Sequence, residues 1–133
     1  MLLLVVEDHH DTAKAFSLLL RRSGYRVHVA YTIRAALALC EKNNYNILLA
    51  DIGLPDGSGC DLMRTLLACS QTKGIAISGY GYGLDIQKSL EAGFAEHLTK
   101  PILFEKLIAS IERVAALPRR MAAGVRSSEG VLA

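Results

Sequence analysis

The sequence predicts a doubly wound α/β fold, a five-stranded parallel sheet in the order 2-1-3-4-5 with helices on both faces. Three observations predict it. Short apolar runs of strand type alternate five times with segments of helical period, the pattern of a parallel sheet covered by helices. The runs Leu2 to Val6, Ile47 to Ala50 and Ile75 to Ile77 are apolar without a break, as strands buried on both faces require. The 133 residues are 51% hydrophobic and only 6% aromatic, which suits a single core of Leu, Ile, Val and Ala in about one domain's length of chain.

The elements can be read in order. After the first strand comes a polar helical segment that Gly24 closes at a C′ position. Arg26 to Ala30 alternates in polarity and reads as an edge strand. Thr32 is placed to cap the second helix, whose Ile33, Ala36, Leu37 and Cys40 share one stripe. Asp51 lies just past the apolar run of the third strand, Ser78 ends the fourth, and Gly93 follows the fourth helix. The fifth strand leads to Lys100, and Phe104, Leu107, Ile108, Ile111, Val114 and Ala115 form the stripe of the last helix. Residues 1–117 make up the expected domain. The remainder, 118–133, mixes Arg, Gly and Ser without period and reads as a flexible tail or linker remnant. Right-handed crossovers leave few topologies for such a chain. In the natural one the reactive crevice lies beyond the carboxyl ends of the strands, between the first and the third.

Composition narrows the function classes. No apolar run reaches the roughly 18 residues of a membrane-spanning helix, and no secretory leader pattern opens the chain. Cys40, Cys60 and Cys69 are odd in number and lack zinc-site spacing, so free thiols in a reducing cytoplasm are expected. A net charge of +2 does not make a nucleic-acid surface. The pairs Arg21-Arg22 and Arg119-Arg120 read as solvated helix ends.

Chemistry gathers at the strand ends. Glu7 and Asp8 follow the first strand and Asp51 the third, so three carboxylates are expected to converge. Crowded like charges are costly unless a cation neutralises them, and Mg²⁺ takes carboxylates, carbonyls, waters and phosphate oxygens. The Ser78 hydroxyl and the Lys100 ammonium would reach the same crevice. Such a site is suited to phosphoryl transfer, with Mg²⁺, Lys100 and Ser78 stabilising charge on the transferring group and Asp51 as nucleophile.

Val5-Val6-Glu7-Asp8, Asp51-Ile52-Gly53-Leu54-Pro55-Asp56-Gly57-Ser58-Gly59, Ile77-Ser78-Gly79 and Leu98-Thr99-Lys100-Pro101 resemble the signature segments of response-regulator receiver domains of two-component signalling. The likeness covers roughly residues 2–117 and implies a flavodoxin-like fold. It also implies that Glu7, Asp8, Asp51 and the Gly53 carbonyl hold Mg²⁺, that Asp51 accepts the phosphoryl group, and that Ser78 and Lys100 contact it. A cis peptide before Pro101 belongs to the same pattern. The implied donor is a phosphohistidine on a histidine kinase or a histidine phosphotransfer domain, with no nucleic acid or membrane bound by this domain. The segments 74–81 and 91–98 further resemble receivers at the C-terminal ends of hybrid sensor histidine kinases. His97 departs from the pattern, since most receivers carry Tyr or Phe three residues before the lysine. His97, Ser78 and Tyr80 are therefore the expected switch residues.

Other readings fit the residues less well. The stretch 79–83 alternates glycine and tyrosine, but its spacing is not GxGxxG and it follows the fourth strand, so it reads as a switch loop and not a dinucleotide site. An FMN carrier is fold-compatible, yet three crowded carboxylates repel a flavin phosphate. A degenerate receiver that only binds partners conflicts with the intact acidic, Ser and Lys positions. His9 and His10 without a matched pair elsewhere make a poor transition-metal site. His28 reads as a plain strand residue, and Asp56 and Asp61 as loop or helix-cap acids.

Overall fold

The computed structural model describes residues 1–79 and 83–119. Along the chain run β1 (Leu2–Val6), α1 (His10–Arg22), β2 (Arg26–Ala30), α2 (Ile33–Lys42) and β3 (Ile47–Asp51). A hairpin of β4 (Gly53–Leu54) and β5 (Gly57–Ser58) leads into α3 (Gly59–Cys69). Then follow β6 (Lys73–Ser78), α4 (Gly83–Glu91), β7 (Glu96–Thr99) and α5 (Phe104–Ala115). The main sheet has the order β2-β1-β3-β6-β7 with every pairing parallel. Counted within the sheet, this is the expected 2-1-3-4-5.

The continuous apolar runs sit in the middle because both of their faces are covered. Leu4, Val6, Leu48, Ala50 and Ala76 pack with Ala36 of α2 and with Leu62, Met63 and Leu66 of α3. Leu3, Val5, Leu49, Ile75 and Ile77 pack on the other face with Leu20 of α1 and with Leu107, Ile111 and Val114 of α5. Successive strand side chains point to opposite faces, so each central strand feeds both clusters. β2 and β7 are the edges, which explains the alternating polarity of Arg26–Ala30.

Caps and turns close the elements. Thr32 Oγ1 accepts from Ala35 N–H at 3.0 Å, as its position predicts. Gly24 and Gly93 have φ of +97° and +109°, the left-handed conformation expected after a helix. Several local expectations need correction. Arg21 is not merely solvated, because Nη2 donates to the Val27 carbonyl at 2.8 Å. His28 hydrogen-bonds Tyr45 Oη through Nδ1 at 2.7 Å and meets its ring edge-on. β6 begins at Lys73, two residues before the apolar run, where it pairs with Ile47. Gly83 opens α4 instead of closing a loop, and residues 80–82 of the expected switch loop lie outside the described residues. Among the described residues, no helix is long and apolar enough to cross a membrane.

Register places the site. Val6 pairs with Ala50, so Glu7 and Asp51 come level at the ends of β1 and β3. Asp51 pairs with Ile77 and Ser78 with Thr99, which brings Ser78 and Lys100 to the same edge. Four strands thus deliver the candidate residues Glu7, Asp51, Ser78 and Lys100 to the carboxyl end of the sheet, beside the point where strand order reverses.

Candidate functional site

Three carboxylates converge at that edge. Glu7, Asp8 and Asp51 each offer an oxygen within 4.8 Å of the others. Glu7 and Asp51 are 3% and 8% exposed, whereas Asp8 faces solvent. The Lys100 ammonium reaches in from the end of β7 and donates to Glu7 Oε1 and to Asp51 Oδ2, both at 2.8 Å. The remaining oxygens are also engaged: Glu7 Oε2 accepts from His9 N–H at 3.2 Å and Asp51 Oδ1 from Gly53 N–H at 3.0 Å.

One ammonium shared by two buried carboxylates offsets neither completely. Burial pushes the Glu7 carboxyl above its ordinary range, and the hydrogen bonds from Lys100 and His9 do not bring it back. Burial alone would depress Lys100, but its bonds to Asp51 and Glu7 outweigh that and hold the ammonium firmly protonated. The donor set is all oxygen, carries more negative charge than the lysine supplies, and includes an exposed carboxylate. It fits a hard divalent cation of the Mg²⁺ kind and offers nothing to a thiophilic one.

The end of β3 is tightly held. A Cβ on Gly59 would lie 2.3 Å from the Asp51 carbonyl oxygen, so α3 starts directly against the backbone of Asp51. Ile52 N–H continues the β3–β6 ladder onto the Ile77 carbonyl at 2.9 Å. Gly53 stands two residues past Asp51 at the head of the hairpin. Lys100 N–H donates to the Ser78 carbonyl at 2.8 Å, and the Lys100–Pro101 peptide is cis.

Ser78 is buried at the end of β6, and its Oγ is 2.9 Å from Nε2 of half-buried His97 on β7. Nothing in the sequence spacing of residues 78 and 97 announces that hydrogen bond. Tyr80 lies outside the described residues. His9 and His10 join no ligand cluster among the described residues: His9 Nδ1 caps α1 by accepting from Thr12 N–H at 3.3 Å, and His10 stacks on Tyr31. Asp61 pairs with Arg64 at 3.1 Å on the exposed face of α3. Asp56 is a helix-cap acid in an unexpected way, since it caps α2 from the hairpin.

Comparison with known proteins agrees with this geometry. The family model described as "Response regulator receiver domain" matches residues 3–112. The chain belongs to the response-regulator receiver family. The receiver is 34% identical over 111 residues to the sensory transduction protein RegX3 of Mycolicibacterium smegmatis, covering 84% of this chain and 49% of the relative. It is 36% identical over 121 residues to the transcriptional regulatory protein CutR of Streptomyces coelicolor, covering 90% and 54%. The CheY-like receiver domain protein of Methanospirillum hungatei is a solved structure with a TM-score of 0.80 and 29% identity, covering 86% of this chain and 92% of that one. The receiver therefore spans about half the length of the curated relatives it matches. It is a signalling domain of the two-component type.

Proposed function

We propose that Asp51 accepts a phosphoryl group from a phosphohistidine of a histidine kinase or histidine phosphotransfer domain, with Mg²⁺ held by Glu7, Asp8, Asp51 and the Gly53 carbonyl. The supporting observation is the Lys100 ammonium seated 2.8 Å from both Asp51 and Glu7, at the edge where three carboxylates meet. A carboxylate this hemmed in by acids needs positive charge before it can approach an anionic phosphoryl donor, and Lys100 supplies part of it in place.

A carboxylate oxygen of Asp51 forms the new bond to phosphorus while the phosphorus–nitrogen bond of the donor breaks, and the imidazole departs as the histidine side chain. Mg²⁺, when bound, neutralises charge on the phosphoryl oxygens and on the carboxylates together. Lys100 sits at Asp51 Oδ2 and can turn to an oxygen of the acyl phosphate. Ser78 can exchange its bond with His97 for a donated bond to a phosphoryl oxygen, which makes Ser78 and His97 the switch pair. Tyr80, two residues after Ser78, is the other residue assigned to this switch, from its place in the sequence.

Acetyl phosphate with Mg²⁺ tests the assignment on the whole chain. The wild type is expected to gain the mass of one phosphoryl group and Asp51→Asn none. Phosphorylation of the Asn variant would remove Asp51 from the acceptor role.

A further inference from the structure

Two loops carry the proposed cation ligands, and both are pinned to one short piece of chain at the start of α2. Asp56, between β4 and β5, lies three residues past Gly53. Its Oδ1 accepts from Ile33 N–H at 2.9 Å and its Oδ2 from Arg34 N–H at 3.0 Å. First-turn amides have no partner within the helix, and Thr32 Oγ1 serves Ala35, so Asp56 completes the cap. The positive end of the helix favours a carboxylate there. Hydrogen bonds from Ile33 and then Arg34 hold the Asp56 carboxyl below its ordinary range. Gly57 adds close packing: its φ is +147°, and a Cβ on it would lie 3.0 Å from Ile33 Cδ1.

The other loop reaches the same place from β1. Tyr31, two residues before α2, stacks on His10 with ring centroids 3.8 Å apart and planes 21° from parallel. His10 opens α1 two residues after Asp8. Residues 31–34 therefore touch both the segment bearing Glu7 and Asp8 and the hairpin bearing Gly53. No contact of this kind is local in sequence, since Asp56 lies 23 and 22 positions from its two partners.

We infer that residues 31–34 form a brace setting the spacing between the Asp8 loop and the Gly53 loop, with Asp56 as its positioning residue, and that this brace makes the site selective for Mg²⁺ over Ca²⁺. The inference rests on Glu7, Asp8, Asp51 and Gly53 being the cation ligands. Mg²⁺ demands near-ideal octahedral geometry at about 2.0–2.1 Å, while Ca²⁺ accepts six to eight oxygens at about 2.3–2.6 Å in flexible arrangements. Loosening the spacing of two ligand loops penalises the small, exacting ion first.

The test titrates Mg²⁺ and Ca²⁺ separately into the full chain, following backbone amide shifts, for wild type, Asp56→Asn and Asp56→Ala at a temperature where circular dichroism shows each folded. Asp56→Ala is expected to lose roughly tenfold in Mg²⁺ affinity, the scale found when a partner behind a metal ligand is removed. Its Ca²⁺ affinity should hold. Asp56→Asn keeps one accepting oxygen and should fall between, which preserves the comparison if the Ala variant does not fold. Mg²⁺ affinity unchanged in the variants, or both ions weakened equally, overturns the brace and leaves the carboxylate site standing. A wild type that binds neither ion overturns the ligand assignment beneath it.

Discussion

Glu7 is nearly inaccessible and shares the Lys100 ammonium with Asp51. Removing one partner of a buried ion pair normally destabilises because it strands the other charge. Here Lys100 keeps Asp51, and the carboxylate removed is one that burial penalises. Glu7→Gln is therefore expected to raise the thermal unfolding midpoint by a few degrees, on the order of 1 kcal/mol, while abolishing metal-dependent phosphorylation. Thermal unfolding and an acetyl phosphate assay on one preparation check both halves. A Gln variant less stable than the wild type would mean that the bond from Lys100 outweighs the burial of the charge. Stability given up for chemistry in this way is ordinary at functional sites. At this scale the meeting of Glu7, Asp8, Asp51 and Lys100, with Ser78 at the same edge of the sheet, was legible because each ends or follows a strand that could be recognised. The 2.9 Å contact of Ser78 with His97 was not, since it depends on how β7 lies beside β6.

Between elements, the join of β7 to α5 rests on Glu96. Its Oε1 accepts from Ser110 Oγ at 2.6 Å and from Arg113 Nη2 at 2.8 Å, and Oε2 accepts from Arg113 Nε at 2.9 Å. Hydrogen bonding from Arg113 holds the Glu96 carboxyl below the ordinary carboxylate range. A carboxylate lowered on folding contributes stability that is present above its unfolded value and lost as pH falls through the folded one. Glu96→Gln is accordingly expected to cost about 1 kcal/mol at pH 7, discounted because Arg113 is largely exposed. The gap to wild type should close as the pH falls through and below the ordinary carboxylate range, which urea unfolding at a series of pH values measures. A gap independent of pH would assign the effect to the neutral hydrogen bond from Ser110. Elements with long periodic stripes or unbroken apolar runs, such as α5 and β1, could be read directly. The β4–β5 hairpin could not, because two-residue strands carry no period. Nor could the Asp56 cap, whose partners lie on a different helix.

For the whole molecule, topology followed from strand–helix alternation and handedness alone, and the observed sheet order agrees with it. Local pattern does not tell which groups distant in the chain bond one another. Glu7 and Lys100 are 93 residues apart and Asp51 and Lys100 are 49 apart, yet they meet at 2.8 Å. The ammonium that joins them closes loops embracing nearly the entire domain, and such closures form only when β1, β3, β6 and β7 have all assembled. Competence to accept a phosphoryl group is then a property of the cooperative native state, absent from any subset of the strands. Along a urea series, phosphorylation by acetyl phosphate and the far-ultraviolet dichroism signal are expected to vanish at one shared midpoint. A yield that fell at lower urea than the dichroism would reveal a sub-global opening at the sheet edge. With the two curves superposed, every phosphorylated molecule counts as one that is fully folded.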